Sequence, residues 1–105
     1  MNRTDTQIIV TGHICLDIIP DFHHIKGDFK TILTPGKLFH IGPVTVSTGG
    51  PVSNTGLALH RLGIPTQLMG KVGDDDFGEV ILKHLKSYDP TLAAGMIVAK
   101  GNHTA

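Results

Sequence analysis

The chain has a single cysteine, Cys15, and no tryptophan. One thiol excludes an intrachain disulfide, which fits a reducing compartment and a cytoplasmic location. There is no surplus of either charge, nine basic residues standing against nine acidic ones. Phosphate neutralisation dominates nucleic-acid affinity, so no nucleic-acid partner is expected, and anionic membrane surfaces are disfavoured on the same ground. No apolar run approaches the ~18 residues of a membrane span. Ile8-Ile9-Val10 is too short for a signal-peptide core and is interrupted by Thr11, Gly12 and His13. The seven histidines, His23-His24 among them, form no His-Glu-x-x-His or Cys/His pairing. No metal site is therefore expected. Neither G-x-G-x-x-G nor G-x-x-x-x-G-K-[ST] occurs, which excludes the usual dinucleotide domain and the P-loop.

What remains is a globular composition, 40% hydrophobic and 17% charged over 105 residues, with 13 glycines. That length allows one small domain with a modest core. Residues 7–13 are β-branched and close at Gly12, as a buried strand does, and Ile14 to Pro20 continues in the same style. Residues 21–36 are polar and irregular, with a Pro35-Gly36 turn. Lys37 to Thr48 alternates loosely, and Gly42-Pro43 divides it into two short strands expected to pair antiparallel. Gly49-Gly50-Pro51 opens a helix over 52–62, with Val52, Leu59 and Leu62 on its inner face and Gly63 and Pro65 ending it. Gln67 to Val72 reads as a strand. Asp76-Phe77-Gly78-Glu79 reads as an acidic capping box that starts a helix over 77–87. Met96 to Ala99 is a further core strand. The alternation of strand and helix predicts an α/β fold on a parallel sheet.

Two places carry candidate chemistry. In Gly49-Gly50-Pro51-Val52-Ser53-Asn54 the glycines let a ligand approach the backbone, and the free N–H groups of a first helical turn point at it. Asn54, one turn on, offers an amide toward the same place. The same residues also read as a plain tight turn with a solvated asparagine. Asp17 lies between Leu16 and Ile18, and a carboxylate in apolar company needs partners. A sugar diol can supply two hydroxyl hydrogens to one carboxylate, although a strand-end aspartate needs no ligand at all. In Gly73-Asp74-Asp75-Asp76 the acids suit the start of a helix. Cys15 reads as a small packing residue rather than a nucleophile.

Taken in order, Gly12-His13-Ile14-Cys15-Leu16-Asp17, Gly49-Gly50 with Asn54, Gly63, Gly70-Lys71-Val72-Gly73-Asp74-Asp75, Phe77-Gly78, Lys100-Gly101 and Thr104 resemble the ribokinase-like (PfkB-type) carbohydrate kinases. The resemblance covers nearly the whole chain, and the stretch from Gly49 to Gly78 carries most of it. It implies a ribokinase-like three-layer α/β/α parallel sheet, here partial, with a small β lid at about 21–48. It implies that Asp17, the backbone of Gly49 and Gly50, and Asn54 bind the hydroxyls of a small-molecule sugar. ATP and Mg²⁺ would serve the full-length parent, which would dimerise through the lid. Cys15, Pro51, Val52 and Gly56 depart from the family pattern, the first two where ribokinase reads ribose with asparagine and lysine, so ribose itself is not implied.

The family's catalytic aspartate stands in a Gly-Ala-Gly-Asp segment near the C-terminus, and nothing like it occurs in these 105 residues. No catalytic residue is therefore assigned within the chain, the base being expected beyond Ala105, and neither ATP nor Mg²⁺ is expected to bind this chain alone. Two functions follow: the sugar-binding half of an ATP-dependent sugar kinase, or a non-catalytic sugar-binding or assembly module.

Overall fold

A computed structural model describes residues 7–23 and 25–105. Strand β1 (Ile8–Gly12), strand β4 (Thr66–Gly73) and strand β5 (Ile97–Ala99) form a parallel sheet in the order β1-β4-β5. Val10 stands beside Leu68, and Val72 beside Val98. Helix α2 (Gly50–Arg61) leads from strand β3 (Val44–Gly49) into β4, and helix α3 (Asp76–Tyr88) with a 3₁₀ turn (Pro90–Ala93) joins β4 to β5. A short helix α1 (Phe29–Ile32) lies in the stretch that reads as irregular in sequence. Asp28 opens it by accepting the Thr31 N–H, a local bond that four residues of pattern do not reveal.

The antiparallel pair forms differently from the expectation. Its strands are β2 (Cys15–Pro20) and β3 (Val44–Gly49), and Lys37 to Ile41 joins neither. Pairing two strands so far apart in sequence depends on the fold bringing them together, which local alternation cannot encode. The two-stranded sheet brackets residues 21–43, so the predicted lid interval contains β3 and not its partner β2.

Both long helices pack on one face of the parallel sheet. Val52 and Leu57 of α2 and Ile81 and Leu85 of α3 meet Val10, Leu68 and Val72, with Ile14 and Leu92 closing the cluster. The inner face of α2 is thus Val52, Ser53, Gly56 and Leu57. Leu62, expected inside, is 75% exposed because it lies past the last turn. Gly56 explains the close approach of helix to sheet, since a Cβ there would overlap the Leu68 side chain. Strand period two places Ile9, Met69 and Ile97 on the other face, where no described helix covers them and all three are exposed. The described residues thus form two layers, with helices on one side of the sheet. No helix among them is long and apolar enough to cross a membrane.

Candidate functional site

The turn between β3 and α2 is made by two glycines with different tasks. Gly49 is extended (φ −131°, ψ −177°) and stands at the N-cap without a side chain to cap the helix. Gly50 has φ +86°, a conformation that L side chains adopt at a cost. Pro51 follows and has no N–H, while the Val52 N–H donates to the carbonyl of His13, 3.1 Å away. Buried Thr48 and Ser53 share a hydroxyl–hydroxyl hydrogen bond across the turn, which ties the end of β3 to the first turn of α2.

Asp17 lies in β2 opposite Ser47, and Cys15 opposite Gly49. The Asp17 carboxylate leans over Gly49: a Cβ there would stand 2.7 Å from Asp17 Oδ2 and 3.0 Å from Cys15 Sγ. The Cys15 S–H donates to Asp17 Oδ1 at 3.6 Å. Burial and, after it, the Asp17 charge raise the Cys15 thiol above its ordinary value. A protonated thiol is a poor nucleophile, so Cys15 serves as a donor and packing group. An exposed carboxylate therefore stands at the uncapped N-terminus of a helix, where the positive end of the helix dipole favours it.

Asn54 is exposed on α2 and lines a cavity of about 270 Å³ together with Ser47, Thr48, Ser53, Arg61 and Tyr88. Asp17 does not line this cavity, but its cross-strand neighbour Ser47 does. The structure therefore gathers Asp17, Gly49 and Gly50 at one turn, with Asn54 a helical turn further along the same element. Arg61 fixes the far part of the cavity by donating to the Tyr88 hydroxyl at 3.2 Å and lying 5.3 Å from the ring centre.

The cap of α3 corrects the sequence reading. Asp75, and not Asp76, is the N-cap, its Oδ1 accepting the Gly78 N–H at 2.9 Å. Asp76 and Glu79 lie in the first turn, where their charge still complements the dipole. Three aspartates in a row satisfy any cap pattern, so spacing alone could not choose among them. Asp75 also accepts both the N–H and the hydroxyl of Thr104. The Thr104 hydroxyl, then its N–H and that of Gly78, lower the Asp75 carboxyl to about 2. Sequence reasoning missed this contact because Thr104 lies 29 positions away. Among the described residues no three His, Cys, Asp or Glu side chains gather as a metal cluster.

Comparison with known proteins places the fold and the family. Residues 5–89 match the pfkB family carbohydrate kinase. An uncharacterized sugar kinase of Pyrococcus horikoshii is 30% identical over 104 residues, covering 99% of this chain, and its solved structure superposes with a TM-score of 0.65 over 94% of the chain. Fructokinase-2 of Solanum lycopersicum is 30% identical over 91% of the chain. Fructokinase with bound ATP from Xylella fastidiosa, 21% identical, shares the fold at a TM-score of 0.65 over 93% of this chain and 27% of its own. The chain spans 29% of the length of the Pyrococcus and Solanum proteins it matches. It has the ribokinase-like α/β fold and belongs to the pfkB family of carbohydrate kinases.

Proposed function

We propose that this chain forms the polyol-binding part of an enzyme that phosphorylates a sugar hydroxyl with ATP. The observation that carries the reading is the Asp17 carboxylate held over Gly49 at the open N-terminus of α2. There the carboxylate accepts hydrogens from two adjacent hydroxyls, and the glycine backbone meets the sugar ring without steric hindrance. Asn54 adds an amide donor and acceptor from the next turn. Together they hold the reacting hydroxyl in a fixed direction, and orientation supplies much of the rate in a reaction with little covalent work for the protein to do.

The β2–β3 sheet, with the loop it brackets, covers the site as a lid, excludes water and pairs with a second copy in the parent. ATP and Mg²⁺ would supply the phosphoryl group and its charge neutralisation from residues outside this segment. Their family-level support is the Xylella fructokinase solved with ATP. The 105 residues alone bind sugar without transferring phosphate.

The test is steady-state kinetics on the kinase-length protein that bears this segment. Asp17→Ala removes a charge-assisted contact of about 1.5–3 kcal/mol, so the sugar KM rises roughly 10- to 150-fold while the ATP KM stays at the wild-type value. An unchanged sugar KM removes Asp17 from the site and the reading with it.

A further inference from the structure

Resting on the polyol reading above, we infer that Asp75 is a positioning residue for that site, acting through residues 104–105 on the strand that carries Asp17. Asp75 does more than cap α3. Its Oδ2 accepts the Thr104 N–H at 2.8 Å, and its Oδ1 takes both the Gly78 N–H and the Thr104 hydroxyl. That hydroxyl oxygen accepts the Gly73 N–H at 2.9 Å, so Thr104 is held from three sides. The next residue completes the link: the carbonyl of Ala105 accepts the Leu16 N–H at 2.9 Å. Leu16 immediately precedes Asp17, and Cys15 on its other side donates its thiol to the Asp17 carboxylate.

The surroundings leave this chain of contacts little freedom. Asp74 Oδ2 accepts the Gly101 N–H at 3.0 Å and staples the same turn a second time. A Cβ on Gly73 would overlap the Asn102 carbonyl, and one on Gly78 would overlap the Gly73 carbonyl and stand 3.0 Å from Thr104 Oγ1. The β4–α3 turn, residues 101–105 and the start of β2 are therefore packed backbone to backbone. A shift of Thr104 passes to Leu16, because no flexible side chain lies between them to absorb it.

Capping and positioning separate cleanly by substitution. Asparagine is as good an N-cap as aspartate, so Asp75→Asn keeps the Gly78 bond and the helix. Its single amide oxygen cannot replace two carboxylate oxygens toward Thr104. In the kinase-length protein, Asp75→Asn and Thr104→Val are each expected to raise the sugar KM about 5- to 30-fold, in the range of coupled neighbours, with the ATP KM near wild type. Thr104→Ser retains the hydroxyl and restores the wild-type sugar KM. A wild-type sugar KM in Asp75→Asn, or a fall in kcat alone, overturns the inference. If Asp17→Ala raises the sugar KM and Asp75→Asn does not, only the positioning role is lost. If neither changes it, the polyol site itself is wrong.

Discussion

Gly49 and Gly50 are neighbours, yet a methyl group would act differently on each. At Gly49 the backbone is extended and any residue can adopt it, so the obstacle is the Asp17 carboxylate 2.7 Å from the new Cβ. A side-chain end can swing away, and the fold survives. Gly49→Ala in the kinase-length protein is therefore expected to keep its melting midpoint and to raise the sugar KM by displacing Asp17. At Gly50 the φ of +86° is itself unfavourable for alanine, and the new Cβ would stand 2.7 Å from the backbone carbonyl of His13, which cannot swing away. Gly50→Ala is expected to lose about 1–3 kcal/mol of stability, read as a shift of the denaturant midpoint. Equal stability in the two variants would mean that the turn tolerates both. Both glycines and Asp17 were legible in the sequence because their chemistry is local: a glycine pair before a proline, and an acid among apolar neighbours. The approach of Asp17 to Gly49 was not legible, since it needs the β2–β3 pairing.

At the level of whole elements, the two long helices were readable and their detail was not. The apolar spacing of Ile81 and Leu85 marks α3, and both are fully buried. Its start is ambiguous among Asp74, Asp75 and Asp76, and only the long-range bond to Thr104 selects Asp75. Of Val52, Leu59 and Leu62, read as the inner face of α2, Val52 is buried and Leu59 packs partly buried against the core, but Leu62 is exposed, and Ser53 and Gly56 lie inside because the helix sits tightly on Leu68. Caps also set the acid behaviour. The Thr104 hydroxyl, foremost among several donors, holds the folded Asp75 carboxyl at about 2, below its ordinary 3.8. The Thr31 N–H lowers Asp28 and the Thr91 N–H lowers Asp89 in the same direction. A carboxyl depressed in the folded state contributes stability that is fully present above the unfolded value and is lost as pH falls through the folded one. For Asp75 the loss falls between pH 3.8 and about 2. Melting midpoints of wild type and Asp75→Asn, compared across that window, should therefore converge as pH falls. A difference that stays constant to pH 2 would place the Asp75 contribution outside its charge.

The whole molecule is more open than its size requires. Its radius of gyration is 17.6 Å, against about 13 Å for a compact domain of this length. It exposes 7207 Å², where a self-contained protein of 11.2 kDa exposes about 5,700 Å². Part of the excess is the uncovered sheet face, with Ile9 and Ile97 each 53% exposed and Met69 beside them. A parallel sheet is normally buried on both faces, so this one lacks half of its cover. An apolar face of this kind promotes association. The 105-residue chain expressed alone is therefore expected to bind a hydrophobic dye and to sediment as aggregates at micromolar concentration. The double variant Ile9→Lys, Met69→Glu places opposite charges on that face without touching the helix side, and should restore a smaller species. In a kinase-length protein whose further residues cover that face, the same pair should instead destabilise, because the two charges become buried. A monomeric, dye-negative wild-type chain would show that this sheet needs no second layer.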